Sequence, residues 1–150
     1  MILALGVTAA LLLVLTEMTT LFEIEVETAS CGDLADPDQA DRCETTGGEQ
    51  HSFALIPVAL LVVVMAVGAG LGGSRPAGFA LLGAGAVVLA IALIADLPDT
   101  TKTGEIGSTF ASAQAVKGSG FWLEIAGGAL AAVAGALRLA DRRPLNPPAT

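Results

Sequence analysis

The sequence is poor in charged residues, histidine and cysteine, and each shortage excludes a class of function. Only 15% of its 150 residues are charged, against roughly 25% in soluble globular proteins. Lysine and arginine together number 7, too few for a cationic surface that grips a phosphate backbone, so we expect no nucleic-acid partner. The single histidine, His51, has no neighbours at metal-ligand spacing, and we expect it at a membrane interface rather than on a metal.

Sequence motifs of enzymes and of cofactor sites are missing as well. The chain has no Gly-x-Ser-x-Gly, no phosphate-binding loop and no His-Glu-x-x-His pattern. The two cysteines, Cys31 and Cys43, are too far apart for a Cys-x-x-Cys redox pair. We therefore expect no catalytic residues, no cofactor and no metal, and a membrane enzyme is the least favoured reading.

Apolar residues, by contrast, are abundant, at 53% of the chain with a mean hydropathy of +0.72. A helix needs about 20 apolar residues to cross the roughly 30 Å hydrocarbon layer of a bilayer. Four segments meet this requirement, at about 2–22, 53–71, 77–95 and 121–139. The sequence thus predicts an all-α integral membrane protein, a four-helix transmembrane bundle that forms one domain over residues 1–150.

Basic residues predict how this bundle is oriented. Four arginines lie beside the predicted span ends on one face: Arg75, Arg138, Arg142 and Arg143. The positive-inside rule places the turn 72–76, the tail 140–150 and both termini in the cytoplasm. Loops 23–52 and 96–120 then lie outside the plasma membrane. The first segment lacks the basic start and adjacent cleavage site of a signal peptide, so we expect a retained helix.

The first outer loop carries most of the net charge of −8. Its nine acids face a single Arg42: they are Glu23, Glu25, Glu27, Asp33, Asp36, Asp38, Asp41, Glu44 and Glu49. The acids do not follow the spacing of a calcium-binding EF-hand, so a solvated loop is favoured over a calcium site. Cys31 and Cys43 lie in this loop, and we predict a disulfide that stabilises it by roughly 3 kcal/mol.

Two stretches of the outer loops have a periodic pattern of their own. Residues 22–27 alternate apolar and acidic side chains, which favours a short strand, although a helical extension fits about as well. In the second loop, Ile106, Phe110 and Ala113 recur at helical spacing behind Ser108. That spacing predicts a short helix at the membrane surface.

Small residues recur within the spans at the spacing that lets helix backbones approach closely. They are Gly68 and Gly72, and the seam formed by Gly127, Ala131 and Gly135. We expect them to pack helices within one bundle. Self-association into a homo-oligomer, or contact with a partner membrane protein, is the alternative.

Three acids lie near the outer ends of the spans, where a charged residue suggests function. Glu17, Asp96 and Glu124 reach about the same depth, with Lys102 as a candidate partner. They predict an outward-facing cation or proton site. The alternative is that these carboxylates reach interfacial water or cap a helix, because an acid costs less near the surface than at the midplane.

Short segments resemble small uncharacterised four-span membrane proteins of high-GC bacteria. The matching residues are Glu17-Met18-Thr19-Thr20-Leu21-Phe22, Asp96-Leu97-Pro98-Asp99, Lys102 and Gly120-Phe121-Trp122-Leu123-Glu124. The resemblance implies a four-span fold and no particular activity. The layout is also similar to that of claudins, although the first outer loop lacks their tryptophan.

Two functions remain open from the sequence. The favoured one is a non-catalytic interaction, accessory or self-assembling subunit whose acidic loop faces outward. The other is an oligomeric cation or proton channel or transport component that uses Glu17, Asp96 and Glu124.

Overall fold

The computed structural model describes residues 1–26, 29–30, 43–99, 102–103 and 112–141, and this part of the chain is mostly helical. The helices are α1 (Ile2–Met18), α2 (Gly47–His51), α3 (Leu55–Gly70), α4 (Arg75–Ala90), a π-helical segment (Ile91–Asp96), α5 (Leu97–Asp99) and α6 (Ser119–Ala140). The strands are β1 (Thr20–Val26), β2 (Ala29–Ser30), β3 (Glu44–Thr46) and β4 (Ala113–Lys117).

Two helices are long and apolar enough to cross a membrane. One is the continuous helix Arg75–Asp99, with 25 residues, and the other is α6, with 22 residues. Helices α1 and α3 are apolar but have only 17 and 16 residues. Helix α1 ends before the predicted residue 22, because Thr19 adopts an extended backbone and the chain continues as a strand.

The four apolar helices pack around one core of small and aliphatic side chains. Helix α6 contacts both α1 and α4, and α1 also contacts α3. Leu13, Val62, Leu81 and Ala131 are among the residues that this core buries completely. Alanine at many core positions lets the helix axes approach, so backbone packing replaces the larger side chains of a soluble core.

The predicted seam on α6 packs within the chain. A Cβ on Gly127 would lie 2.9 Å from Leu13 Cδ2 of α1, and a Cβ on Gly135 would lie 2.5 Å from the Leu82 nitrogen of α4. Ala131, between them, is fully buried. The seam is therefore occupied by neighbouring helices of the same chain and is not free for a second copy.

The other predicted pair, Gly68 and Gly72, behaves differently. A Cβ on Gly68 would lie 3.3 Å from the Ala77 side chain, so this glycine faces α4. A Cβ on Gly72 would meet the Gly68 carbonyl of its own segment, at 2.9 Å. Gly72 thus serves the turn after α3 rather than a contact between helices.

The prediction of an all-α protein is wrong, because the structure contains a small antiparallel sheet. Strand β1 pairs with β2 and β3 along one edge and with β4 along the other. Opposite β4, Phe22 pairs with Lys117 and Val26 with Ala113. The strand interpretation of residues 22–27 is confirmed as far as Val26.

Other predictions about the loops fall partly outside the described residues. Cys31, Arg42, Ile106, Ser108 and Phe110 lie there, as do Arg142 and Arg143. Ala113, expected in a short surface helix, is instead the first residue of β4. Cys43 is buried beside Ile24 of β1, and its disulfide to Cys31 stays a prediction.

Chain connections place the sheet against one end of the helices, which we call the sheet end. Helix α1 runs into β1, β3 runs through α2 into α3, and β4 runs into α6. At the opposite end, the Arg138 side chain donates a hydrogen bond to the Gly73 carbonyl in the turn between α3 and α4. Gly73 has a φ of 63°, a left-handed conformation that glycine adopts without steric cost.

We predict that Gly135→Ala destabilises the protein by about 1–3 kcal/mol, because the added Cβ would strike backbone atoms and force α4 and α6 apart. Gly83→Ala is the matched control, since a Cβ there meets nothing within 4 Å. It should stabilise α4 by up to about 1 kcal/mol through helix propensity. Thermal unfolding in detergent micelles, followed by circular dichroism, measures both changes. Equal effects of the two substitutions would contradict this packing.

Candidate cation site

Four ionisable side chains from four elements lie at the sheet end. Glu17 comes from the last turn of α1, His51 from the end of α2, Asp96 from the end of the π-helical segment and Glu124 from the start of α6. The three carboxylates are 2%, 1% and 0% exposed, in that order. The alternative that these acids reach water therefore does not hold in this structure.

Three of the four side chains converge on one point. His51, Asp96 and Glu124 each offer one ligand atom, and these atoms lie within 4.8 Å of one another. The Nε2 atom of His51 is 3.2 Å from Oδ2 of Asp96. We call these three residues the triad. Asp96 and Glu124 were expected at a common depth, whereas His51 was not expected in the site.

Glu17 has a different role, although it was predicted in the same site. Its Oε1 accepts a hydrogen bond of 2.7 Å from the Leu55 backbone nitrogen, in the first turn of α3. The first N–H groups of a helix lack partners within it and carry a partial positive charge, so a carboxylate there is stabilised. Glu17 thus caps α3, as the helix-cap alternative predicted, and is not a member of the triad.

His51, which contacts Asp96, is followed directly by the turn between α2 and α3. Its residues Ser52 and Phe53 have φ values of 51° and 59°, which are unfavourable for residues with a side chain. Strained conformations of this kind persist where surrounding contacts enforce them, and they cluster at functional sites. The Phe53 ring lies over Gly48, where a Cβ would approach its Cε1 to 2.5 Å.

The carboxylate of Asp96 is oriented from both sides. Gln50 Nε2 donates to its Oδ1 at 3.4 Å, while His51 faces its Oδ2. Gln50 also donates to Asp99 at 3.0 Å. The predicted partner Lys102 does not reach the triad, because its ammonium pairs with Asp99 at 2.5 Å on the surface.

Several buried polar atoms at the sheet end have no hydrogen-bond partner among the described residues. They are both carboxylate oxygens of Glu124, Oε2 of Glu17 and Nδ1 of His51. A buried carboxylate without hydrogen bonds or a counter-charge costs several kcal/mol. The triad therefore carries negative charge that the described residues do not fully compensate.

Asp96 also ends an unusual piece of helix. Residues Ile91–Asp96 form a π-helix within the continuous helix Arg75–Asp99. Such single-turn widenings are rare and frequently occur at functional sites. The sequence of this segment, Ile-Ala-Leu-Ile-Ala-Asp, has no feature that predicts a π-helix.

A sequence signal for His51 exists, although the prediction missed it. Thr46 and Glu49 form a capping box, in which Thr46 Oγ1 accepts from the Glu49 nitrogen at 3.3 Å and Glu49 Oε2 accepts from the Thr46 nitrogen at 2.9 Å. A Thr-x-x-Glu pattern is a known helix-start signal. It would have placed His51 at the end of a short helix rather than in a loop.

The hydrogen bond with Asp96 raises the pKa of His51 above its usual 6.5; burial opposes this rise, and the negative charges of Asp96, Glu124 and Glu17 add to it. Because the folded-state pKa is raised, the stabilisation by protonated His51 is complete below about pH 6.5. It is lost as the pH rises through the raised pKa.

We therefore predict that the metal-free protein loses about 1.5–3 kcal/mol of unfolding free energy as the pH rises above 6.5, the worth of a hydrogen bond to a charged group. His51→Gln should lose less over the same range. Denaturant unfolding in detergent with a chelator present, at pH values from 5.5 to 9, measures the difference. Parallel pH profiles for both proteins would show that His51 does not pair with Asp96.

The triad combines one imidazole nitrogen with two carboxylate oxygens, all largely withdrawn from water. Such donors bind protons or metal ions, and among metals they suit zinc and the related divalent transition metals. The chain matches no protein-family profile, no curated protein and no solved structure.

Proposed function

We propose that the chain is a non-catalytic, four-span protein of the plasma membrane that binds a cation at the triad, near the outer face. In this proposal α1, α3, the helix Arg75–Asp99 and α6 are the spans. Both termini face the cytoplasm. The proposal favours the cation-site alternative of the sequence analysis over an interaction, accessory or self-assembling subunit without such a site.

The observation that carries the proposal is the state of Glu124. Its side chain is 0% exposed, and neither carboxylate oxygen has a hydrogen-bond partner within the described part of the chain. Helix packing holds it there, because Gly127 and Ala131 on the same helix are buried in the core. A carboxyl group in this position needs a cation or a proton to offset its charge.

The charges of the groups around Glu124 favour the binding of a cation at the triad. Glu17 is stabilised by the N-terminus of α3, worth roughly half a positive charge, and Asp96 has hydrogen-bonding partners in His51 and Gln50. Glu124 lies near the charge of His51, which Asp96 already engages in a hydrogen bond, and neither of its own oxygens has a hydrogen-bond partner among the described residues. The triad therefore has one carboxylate more than its protein surroundings neutralise.

The four-span topology is supported by the arrangement of the two ends. The triad and the sheet lie at the end formed by the predicted outer loops. Arg138 lies at the opposite end, against the turn at Gly73, where the positive-inside rule requires basic residues. Helices α1 and α3 are short, with 17 and 16 residues, and a bilayer accommodates short spans by local thinning.

The acidic outer loop suits the same function. Negative charge around the mouth of a site raises the local concentration of cations. Glu23 and Glu25 lie on strand β1 of this region. They place additional acids beside the sheet end without belonging to the triad.

We predict that a cation raises the melting temperature of the wild-type protein, because it binds the folded state and not the unfolded chain. At 100 times the dissociation constant, the stabilisation is about 2.7 kcal/mol. Glu124→Gln should abolish this shift. Thermal unfolding of chelator-treated protein in detergent, against a panel of sodium, potassium, magnesium, calcium, manganese and zinc, measures it.

The matched control is Glu44→Gln, which removes the same charge from an exposed acid of β3 and should keep the full cation-dependent shift. An unchanged shift in Glu124→Gln would move the binding site elsewhere. If no cation in the panel stabilises the wild-type protein, the proposed function is wrong and a proton compensates Glu124.

We further predict that Cys31 and Cys43 form a disulfide, because the loop that holds them lies outside the cytoplasm in the proposed topology. Thiol alkylation of denatured protein from intact membranes should label neither cysteine before reduction and both afterwards. Cys31→Ser should lower stability by about 3 kcal/mol in the chain-entropy model. Labelling of both cysteines without reduction would contradict both the disulfide and this placement of the loop.

A further inference from the structure

We propose that the cation is a divalent transition metal of the zinc class, bound by His51 Nε2 and by one carboxylate oxygen each of Asp96 and Glu124. This inference rests on the proposed cation-binding function and names the ion. It also makes His51, which the sequence analysis assigned to a membrane interface, a ligand of the site.

The donor atoms decide between classes of cation. Calcium takes six to eight oxygen ligands, and magnesium takes oxygen ligands in a near-ideal octahedron. Imidazole suits zinc, copper, iron and nickel, whereas sites for alkaline-earth ions are built from oxygens. A triad with one nitrogen and two oxygens therefore favours a transition metal.

Distances within the triad fit a tetrahedral ion after a small movement. Zinc–nitrogen and zinc–oxygen bonds of about 2.0–2.2 Å at tetrahedral angles separate two ligand atoms by about 3.3 Å. His51 Nε2 and Asp96 Oδ2 are already 3.2 Å apart. One ligand atom from each of the three residues lies within 4.8 Å of the others, so side-chain shifts of at most about 1.5 Å bring such atoms to tetrahedral separations.

Charge balance points to a divalent ion rather than a monovalent one. A metal bound through His51 Nε2 takes the place of a proton on that nitrogen, so His51 is neutral in such a complex. The two carboxylates of Asp96 and Glu124 then sum to −2, and a divalent ion brings the triad to zero. A sodium ion bound through the same nitrogen would leave one buried negative charge uncompensated, at a cost of several kcal/mol. Glu17 does not enter this sum, because the N-terminus of α3 stabilises it.

Gln50 supplies the support that metal ligands commonly have. Its amide holds Oδ1 of Asp96 at 3.4 Å, which leaves Oδ2 directed toward His51. Loss of such an orienting hydrogen bond typically weakens metal binding by 10- to 100-fold. Gln50 is therefore a positioning residue that contacts a ligand without binding the metal.

Only three ligands come from the described residues, and this number matters for the role of the site. Structural zinc sites are closed by four protein ligands, whereas sites with three protein ligands keep an exchangeable position. The described ligands thus leave one position of a tetrahedral ion open to water or to a further donor.

The experiment is a metal titration of the full chain in detergent micelles after treatment with a chelator. Zinc affinity is measured by competition with a chromophoric chelator, and cobalt absorption reports the coordination geometry. We expect one zinc ion per chain, the intense visible bands of tetrahedral cobalt, and calcium and magnesium binding at least about 100-fold weaker than zinc.

The variants assign the ligands. His51→Gln and Glu124→Gln should each weaken zinc binding at least about 10-fold, and Gln50→Ala should weaken it by about 10- to 100-fold. Glu44→Gln should leave the affinity unchanged. Retained zinc affinity in both His51→Gln and Glu124→Gln would overturn the proposed ligand set.

The wild-type titration needs no variant and separates this inference from the proposed function. If the protein binds calcium or sodium as tightly as zinc, and Glu124→Gln abolishes that binding, the cation site stands and the transition metal is wrong. If the wild-type protein binds no cation, both proposals fail. Zinc bound through Glu124 with the selectivity given above supports both.

Discussion

Glu124 lies inside the packed helices with no hydrogen-bond partner for its carboxylate among the described residues, and this is the constraint around which the sheet end is organised. A charge in such a position is stable only if something else compensates it. The elements around it supply polar groups from three directions: the end of α1, the end of α2 and the end of the π-helical segment. Each of these helix ends contributes one ionisable side chain.

Backbone packing explains why this site stays closed to water. Gly85 of α4 lies against the Gly128 carbonyl and Ala132 of α6, so that no side chain fits between the two backbones. Gly127 packs closely against the Leu13 side chain of α1, where a Cβ would leave too little space. These contacts fix α6 against α1 and α4 about one helical turn after Glu124. The carboxylate cannot turn outward without separating helices that are in close contact through their backbones.

The sheet closes the same end from the other side. Gly118 and Gly120 let the chain approach Thr20 at the junction of α1 and β1, where a Cβ would collide with backbone atoms. Leu21 and Phe121 are fully buried there. The sheet thus packs against the start of α6, and apart from Thr20, Leu21 and Phe22 it forms from segments that the sequence analysis assigned to outer loops.

The apolar helices were predictable from the sequence because hydrophobic length is a property of each segment alone. Their bounds agree to within a few residues, except that α1 ends at Met18, where β-branched threonines continue as strand. The strands β3 and β4 were missed because Glu44–Thr46 and Ala113–Lys117 are short and lack alternation. Their pairing with β1 depends on contacts between distant segments, which no local pattern reports.

For the site, the sequence identified the acids but not their arrangement. Glu17, Asp96 and Glu124 stand out because each is a charge in an apolar segment. The different role of Glu17 depends on the position of Leu55, and the membership of His51 depends on a strained turn at Ser52 and Phe53. Both are consequences of tertiary structure.

The most direct test of a cation at the triad is an anomalous diffraction map from crystals of the full chain grown with zinc and recorded at the zinc absorption edge. The account predicts one strong peak per chain, about 2.0–2.2 Å from His51 Nε2 and from an oxygen of each of Asp96 and Glu124. A map with no peak at the triad, from crystals in which zinc is bound only elsewhere or not at all, would contradict it.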